Sequence, residues 1–340
     1  MINVATIGTS WITEQFIKAC KLSGLYHIKA IYSRSVDNAK DLATVYKADY
    51  YTDALNNILF DPEVDLIYIA SPNKMHFDQA LKAVKAGKHV IIEKPMVETI
   101  DQWHSLHDTA SENKVFVFEA ALHYQNRNYR RLKELVQHKL SERDQVFLGA
   151  NLNLGQYSSR YLKYLDAMDR QVQAPNIFNP DMGGGSLADL GIYPIYVALD
   201  LFGIPNTVRY NAQKGPNGVD LFGTIVLKYA DFAVNIFVSK AVHSQLTSEI
   251  YIDDETLVIH NISRIDRVDL IDAAGQEATL ISYTPENPMY DELINFAEVI
   301  QQPEDRHLQF VYEQWKQMSL SVVQTMQLLR QSAHLSESDL

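Results

Sequence analysis

Three side chains have the type and placement to move a proton at a reacting carbon: Lys94, Asp189 and Tyr193. Lys94 stands in Glu93-Lys94-Pro95, directly after the apolar run His89-Val90-Ile91-Ile92, so a strand ends in a cation. Asp189 and Tyr193 follow a glycine run in Gly183-Gly184-Gly185-Ser186-Leu187-Ala188-Asp189-Leu190-Gly191-Ile192-Tyr193. A phenol with a reference pKa of about 10 is a poor base at neutral pH. A close ammonium favours the phenolate and lowers that value by about 1–3. The four-residue spacing of Asp189 and Tyr193 places them on one face of a helix. Pro194 must then kink that helix or lie in its first turn. The chemistry is hydride transfer between an alcohol and a carbonyl. Tyr193 handles the hydroxyl proton and Lys94 stabilises the developing alkoxide. Asp189 orients the substrate or steadies Lys94.

A hydride needs a carrier, and the first strand ends as a nucleotide-binding strand would. Gly8-Thr9-Ser10-Trp11-Ile12-Thr13 joins it to a helix. Backbone N–H groups at such a turn can hold a pyrophosphate. Of a G-x-G-x-x-G pattern only Gly8 remains; Ser10 and Thr13 occupy the other two positions. The second strand runs into Ser33-Arg34. An NAD site usually places an acid there for the ribose hydroxyls. A guanidinium instead suits a 2′-phosphate, so NADP is favoured over NAD. Ser71, Pro72, Asn73 and His76 fall at another strand end, with Glu93 and Lys94 at the next. These join Gly8, Ser10, Trp11, Ile12, Ser33 and Arg34 as candidate cofactor contacts. Asn73 is equally suited to capping a helix.

The elements that must carry these residues can be read from periodicity. Short apolar β-branched strands span Ile2–Gly8, His27–Ser33, Val64–Ser71, His89–Glu93 and Val115–Glu119. Helices between them span Thr13–Ser23, Val36–Tyr46, Met75–Ala86 and Ile100–Glu112, with Gly24 and Gly87 ending the first and third. This alternation predicts an α/β, doubly wound parallel sheet, a Rossmann domain over 1–121. The remainder, 122–340, reads as α+β with a large, mostly antiparallel open sheet. A helix over Tyr129–Lys139 leads into a strand over Gln145–Leu154; 155–182 reads as irregular; the glycine run opens a helix toward Phe202. Strands follow at Thr224–Tyr229, Ala233–Ser239, Glu249–Asp253, Leu257–Ile262, Val268–Ile271 and Ala278–Ser282. Helices over Tyr290–Gln301 and Val311–Ser332 close the chain, the last helices packing back on the first domain. The polar tail Ser336–Leu340 is expected to fray.

Taken in order, Gly8…Trp11-Ile12, Ser33-Arg34-Ser35, Ser71-Pro72-Asn73…His76, Gly87-Lys88-His89-Val90…Glu93-Lys94-Pro95 and Gly183…Asp189…Tyr193 resemble the Gfo/Idh/MocA oxidoreductase family. Pro288-Met289-Tyr290-Asp291-Glu292-Leu293…Phe296 resembles that family's late helix. The resemblance implies a Rossmann domain followed by an open-sheet domain that often forms a dimer face, hence a homodimer or homotetramer. It implies Lys94 beside the nicotinamide and the substrate hydroxyl, and Asp189 as the acid of the downstream helix. Many members have histidine where this chain has Tyr193. Tyrosine is similar to the branch of glucose–fructose oxidoreductase and the dimeric dihydrodiol dehydrogenases. The implied substrate is a sugar, polyol or diol. Members often carry arginine near His123, so His123 and Tyr124 are left between the substrate pocket and a core or surface place, while Tyr157, Arg160 and Asn176, in the irregular stretch, are candidate substrate contacts.

Composition narrows the alternatives. The chain of 340 residues has a formal charge of −12, against nucleic-acid binding, which needs clustered cations. Cys20 is the lone cysteine, so no intramolecular disulfide forms. The N-terminus enters a strand at once, and no signal peptide or membrane-spanning run is expected. A cytoplasmic location follows. His104, His107, His138, His243 and His260 show no metal spacing, and no metal is expected. Two rival functions remain on this pattern: a non-catalytic nucleotide-sensing regulator, and a glycoside hydrolase using tightly held NAD.

Overall fold

The computed structural model describes residues 1–142 and 146–335; Gln145 and the tail Ser336–Leu340 lie outside the described residues. The chain divides into two compact units. One takes Met1–Leu122 with Glu286–Ser319, the other His123–Pro285 with the chain from Leu320.

The first unit holds six strands: β1 (Ile2–Ile7), β2 (Tyr26–Tyr32), β3 (Tyr50–Thr52), β4 (Leu66–Ile69), β5 (His89–Glu93) and β6 (Val117–Ala120). They are parallel, in the order β3-β2-β1-β4-β5-β6. This is the expected doubly wound sheet. β3 and the short helix Leu55–Leu59 are additions to the sequence reading, too brief to show a period. Strand order reverses between β1 and β4, the place where such sheets open a crevice at their carboxyl ends. On one face, helices Trp11–Ser23 and Tyr290–Gln301 pack together. There Phe16 stacks on Tyr68 at 3.7 Å, Phe118 on Phe296 at 4.5 Å, and Tyr26 Oη donates to the Leu293 carbonyl at 2.7 Å. On the other face Ile67, Ile69, Val90 and Ile92 are buried, and helix His76–Lys85 contacts β4 and β5. Both faces are apolar because both are covered, which explains the continuous apolar runs.

The second unit holds β7 (Phe147–Gly155), β8 (Thr207–Lys214), β9 (Asp220–Lys228), β10 (Ala233–Ser239), β11 (Ser248–Ile252), β12 (Glu255–Ile259), β13 (Arg267–Ile271) and β14 (Glu277–Ser282). Their order is β14-β13-β12-β11-β7-β10-β9-β8, antiparallel except for the β7–β10 pair. A helical segment crosses β7 and β10. It begins as a π-helical turn, Leu187–Gly191, and continues as the α-helix Ile192–Phe202. Pro194 follows directly on the π-helical turn, so its missing N–H falls where the hydrogen-bond ladder changes from π to α. By length and composition Pro180–Phe202 would pass for a membrane span, longer than any apolar run the sequence reading credited; 67% of its apolar window is buried in the protein. The stretch read as irregular contains a helix, Tyr161–Asp169, whose Tyr164 packs on Phe178 at 4.9 Å.

The glycine run is fixed by crowding. A Cβ on Gly184 would lie 2.6 Å from the Asn176 carbonyl oxygen, and one on Gly185 2.0 Å from Asp220 Oδ1. Asp220 is buried, and its Oδ2 accepts from Leu187 N–H at 2.7 Å and Tyr210 Oη at 2.8 Å. The carboxylate thus holds the opening turn of the helical segment. Burial pushes its pKa up to about 6, against the lowering effect of those two donors and Lys240. The folded state therefore takes up the proton more readily than the unfolded chain. Asp220 contributes most stability below the ordinary carboxyl range, and that share is lost as pH rises through about 6. The gap is worth roughly 3 kcal/mol. Denaturant unfolding at pH 5 and at pH 7.5 should therefore separate more in the parent protein than in Asp220→Asn. An identical separation in both would show that Asp220 does not titrate in this window.

Candidate active site

At the carboxyl edge of the first unit's sheet, β1 runs out at Ile7 and Gly8 turns with φ 113°. A Cβ there would lie 2.7 Å from the Ala70 carbonyl oxygen at the end of neighbouring β4, so only glycine fits. Helix Trp11–Ser23 starts directly after. Ser10 is its N-cap residue, and its side chain makes no capping bond to the first-turn amides. Those amides have no partner within the helix and face an anion-binding position. A pyrophosphate fits this donor set. Trp11 beside it is 68% exposed, and Ile12 is half-buried.

β2, next to β1, delivers Ser33 and the exposed Arg34 to the same edge. Ser33 N–H donates to Thr52 O at 3.1 Å, and its Oγ accepts from Ser35 N–H at 3.3 Å. Ser35 caps helix Val36–Tyr46 by accepting from Asn38 N–H. From β4 come Ser71, Pro72 and Asn73, all half-buried; Asn73 opens a 3₁₀ turn, Asn73–Met75. Ser71 Oγ donates to Gln79 Oε1 at 2.7 Å. His76 is fully buried, with Nδ1 3.0 Å from the Pro95 carbonyl and Nε2 2.9 Å from the Ser71 carbonyl. It ties the loops after β4 and β5 together. Burial holds its pKa below the ordinary imidazole value.

β5 delivers Glu93 inward and Lys94 outward. Ile91 and Glu93 share the face covered by helices Trp11–Ser23 and Tyr290–Gln301. Glu93 accepts from Tyr68 Oη at 2.6 Å. Burial raises its pKa, opposed by Tyr68 and Lys94. Glu292, in the same layer, is 1% exposed, and neither carboxyl oxygen has a hydrogen-bond partner among the described residues. Burial, then the nearby Glu93, pushes its pKa well above the ordinary carboxyl value. Lys94 itself is half-buried at the sheet edge, one strand from the reversal point.

In the second unit, Asp189 and Tyr193 are both half-buried, Asp189 on the π-helical turn and Tyr193 in the first α-helical turn. Tyr193 meets the buried ring of His123 edge-on, with centroids 4.8 Å apart; His123 also packs edge-on against Tyr196 at 5.3 Å. Asp189 Oδ2 lies 2.5 Å from Lys240 Nζ. Tyr124 packs against Tyr129 and Tyr196 in an aromatic cluster. Tyr157 packs against Tyr161 and His243, Arg160 is exposed, and Asn176 lends its carbonyl to the wall around Gly184. Among the described residues no group of three or more His, Cys, Asp or Glu could hold a metal ion.

Sequence reading passed over Lys240, Asp220 and Glu292. For Lys240 a signal was present. Val234, Ile236 and Val238 mark the buried register of β10, and Lys240 is the next residue in it. For Asp220 and Glu292 no local pattern marks a buried acid.

Comparison with known proteins agrees with the fold. Residues 2–121 match the oxidoreductase family with an NAD-binding Rossmann fold, GFO/IDH/MocA. Residues 153–258 match the GFO/IDH/MocA C-terminal domain. The oxidoreductase YgjR of Escherichia coli (strain K12) is 35% identical over 308 residues, 91% of this chain and 90% of that protein. The scyllo-inositol 2-dehydrogenase (NADP(+)) IolU of Bacillus subtilis (strain 168) is 33% identical over 302 residues, 89% of each. The crystal structure of KijD10, a 3-ketoreductase from Actinomadura kijaniata in complex with NADP and TDP-benzene, superposes with a TM-score of 0.82 at 18% identity over 97% of each chain. The matches to both family domains, with 33–35% identity over about nine-tenths of two such oxidoreductases, place this chain in the GFO/IDH/MocA family of nicotinamide-dependent oxidoreductases.

Proposed function

We propose that the enzyme interconverts a secondary alcohol and its carbonyl on a sugar, polyol or diol, with NADP as the favoured dinucleotide. The observation that carries this reading is the place of Lys94: a cation at the carboxyl edge of a parallel sheet, beside the strand-order reversal. The similarity to an NADP-dependent inositol dehydrogenase supports the substrate class and the cofactor. Arg34, standing where an NAD site carries an acid, supports NADP independently.

When bound, the nicotinamide supplies or takes the hydride. The chain's own residues do the rest. The Gly8 turn with Ser10, Trp11 and Ile12 holds the pyrophosphate at the helix N-terminus. Ser33 and Arg34 take the 2′-phosphate. Ser71, Pro72 and Asn73 line the strand-end crevice, while His76 and Glu93 act from behind, fixing the loops that carry them and Lys94. Lys94 stabilises negative charge on the substrate oxygen as it forms. Tyr193 gives or takes the hydroxyl proton. Asp189 orients a substrate hydroxyl. We also assign self-association to the open face of the eight-stranded sheet, where Leu148 and Phe222 are exposed, and a reducing cytoplasm, which suits the free, buried Cys20.

Two measurements test these roles. Lys94→Ala should lower turnover on a responsive polyol by ~100-fold or more, the scale of removing one transition-state donor, with NADP still bound and the melting curve retained. Tyr193→Phe should do the same; parent-like turnover in either variant would remove that residue from the mechanism. Arg34→Ala should raise KM for NADP at least tenfold while leaving KM for NAD nearly unchanged. Equal losses with both dinucleotides would overturn the 2′-phosphate assignment.

A further inference from the structure

We infer that Lys240 is a positioning residue: its buried ammonium anchors Asp189 from behind and fixes the π-helical turn that presents Asp189 to substrate. The inference rests on the substrate-orienting role proposed for Asp189. Lysine is rarely buried outright without a charge partner, yet Lys240 is 1% exposed. Its Nζ lies 2.5 Å from Asp189 Oδ2, while the Asp189 side chain keeps 39% of its exposure. The cation is therefore on the protein side and the carboxylate on the solvent side. A bridge serving only to neutralise an interior charge would need no such asymmetry.

Two backbone bonds fix the main chain of Lys240, and one further contact fixes its ammonium. It lies 5.1 Å over the Phe178 ring, a cation–π arrangement. Its backbone N–H donates to the Leu221 carbonyl at 2.9 Å, and its carbonyl accepts from Ser158 N–H at 2.9 Å. It is also near enough to Asp220 to favour that carboxylate. Asp220 holds the first residue of the π-helical turn and Lys240 its third. Two charged groups, one at the start of β9 and one just past the end of β10, thus clamp one turn. Breaking a buried pair leaves an uncompensated charge. Removing the ammonium instead releases the more exposed carboxylate to other rotamers, which a substrate-orienting group does not tolerate.

The test is a double-mutant cycle of Lys240→Met and Asp189→Asn, read as kcat/KM for a polyol, KM for NADP and thermal melting. Lys240→Met should lower kcat/KM by tenfold or more with KM for NADP unchanged. The double variant should be no worse than Asp189→Asn alone. Additive losses would mean that Lys240 acts independently of Asp189 and would overturn the inference, as would parent-like kcat/KM in Lys240→Met when Asp189→Asn is impaired. Parent-like activity of Asp189→Asn would instead remove the role proposed for Asp189 itself, and this inference with it. Should Lys240→Met fail to fold, Lys240→Gln, which keeps a hydrogen-bond donor without the charge, carries the same readings.

Discussion

Where β1 and β4 end side by side, backbone meets backbone so closely that no side chain fits between Gly8 and the Ala70 carbonyl. Much of the first unit follows from that contact. It sets the turn that leads into helix Trp11–Ser23, and so where the first-turn amides lie. It also marks the point from which the chain winds in two directions, β2 and β3 one way, β5 and β6 the other. Because every strand is parallel, each ends at the same edge. Arg34, Ser71 and Lys94 are delivered there by β2, β4 and β5 without long loops. Helix Tyr290–Gln301, far along the chain, completes the layer over the same strands.

Both units hold ionisable groups in their interiors, and they handle them differently. In the first, Glu93 is hydrogen-bonded by Tyr68, and burial raises the pKa of Glu292. In the second, Lys240 meets Asp189, and Asp220 gathers Leu187 N–H and Tyr210 Oη. Buried ion pairs are weak sources of stability, since desolvation offsets most of the attraction. Their common product here is geometry. Glu93 backs the strand end that bears Lys94, and the Asp220–Lys240 clamp backs the turn that bears Asp189. Lys94 and Asp189 themselves stay partly open to solvent.

The fold was legible where burial imposes a period. Strands covered on both faces read as unbroken apolar runs, so β1, β2, β4, β5 and β6 were each located within a few residues, and Gly24 was visible as a left-handed helix end at φ 67°. β3 and Leu55–Leu59 were not, because three to five residues are too few to show a repeat. Helix Tyr161–Asp169 was hidden for another reason. Leu162 and Leu165 are apolar yet exposed, so the stripe made by Tyr164 and Ala167 is blurred. Lys94, Asp189 and Tyr193 were singled out by type and neighbourhood, and the structure describes the surroundings of each. The partners that fix them were not: the Asp189–Lys240 pair joins residues 51 apart in sequence, and a lysine in a core register is masked by the habit of placing charge outside.

The π-helical turn at Leu187–Gly191 carries one more residue than an α-helical turn needs. It acts as a phase shifter between the glycine-rich loop and the apolar helix behind it. Each residue advances an α-helix by about 100°. The bulge takes up the extra residue locally, so the helix behind it keeps the orientation of a continuous α-helix one residue shorter, while the sequence slips by one position. A related chain without this insertion, aligned letter for letter, would present different side chains at the corresponding depth. Exchanging the side chains presented here between such chains therefore calls for grafting Gly183 through Pro194 as one block, with the residues at positions 220 and 240 carried along, rather than for point changes within it.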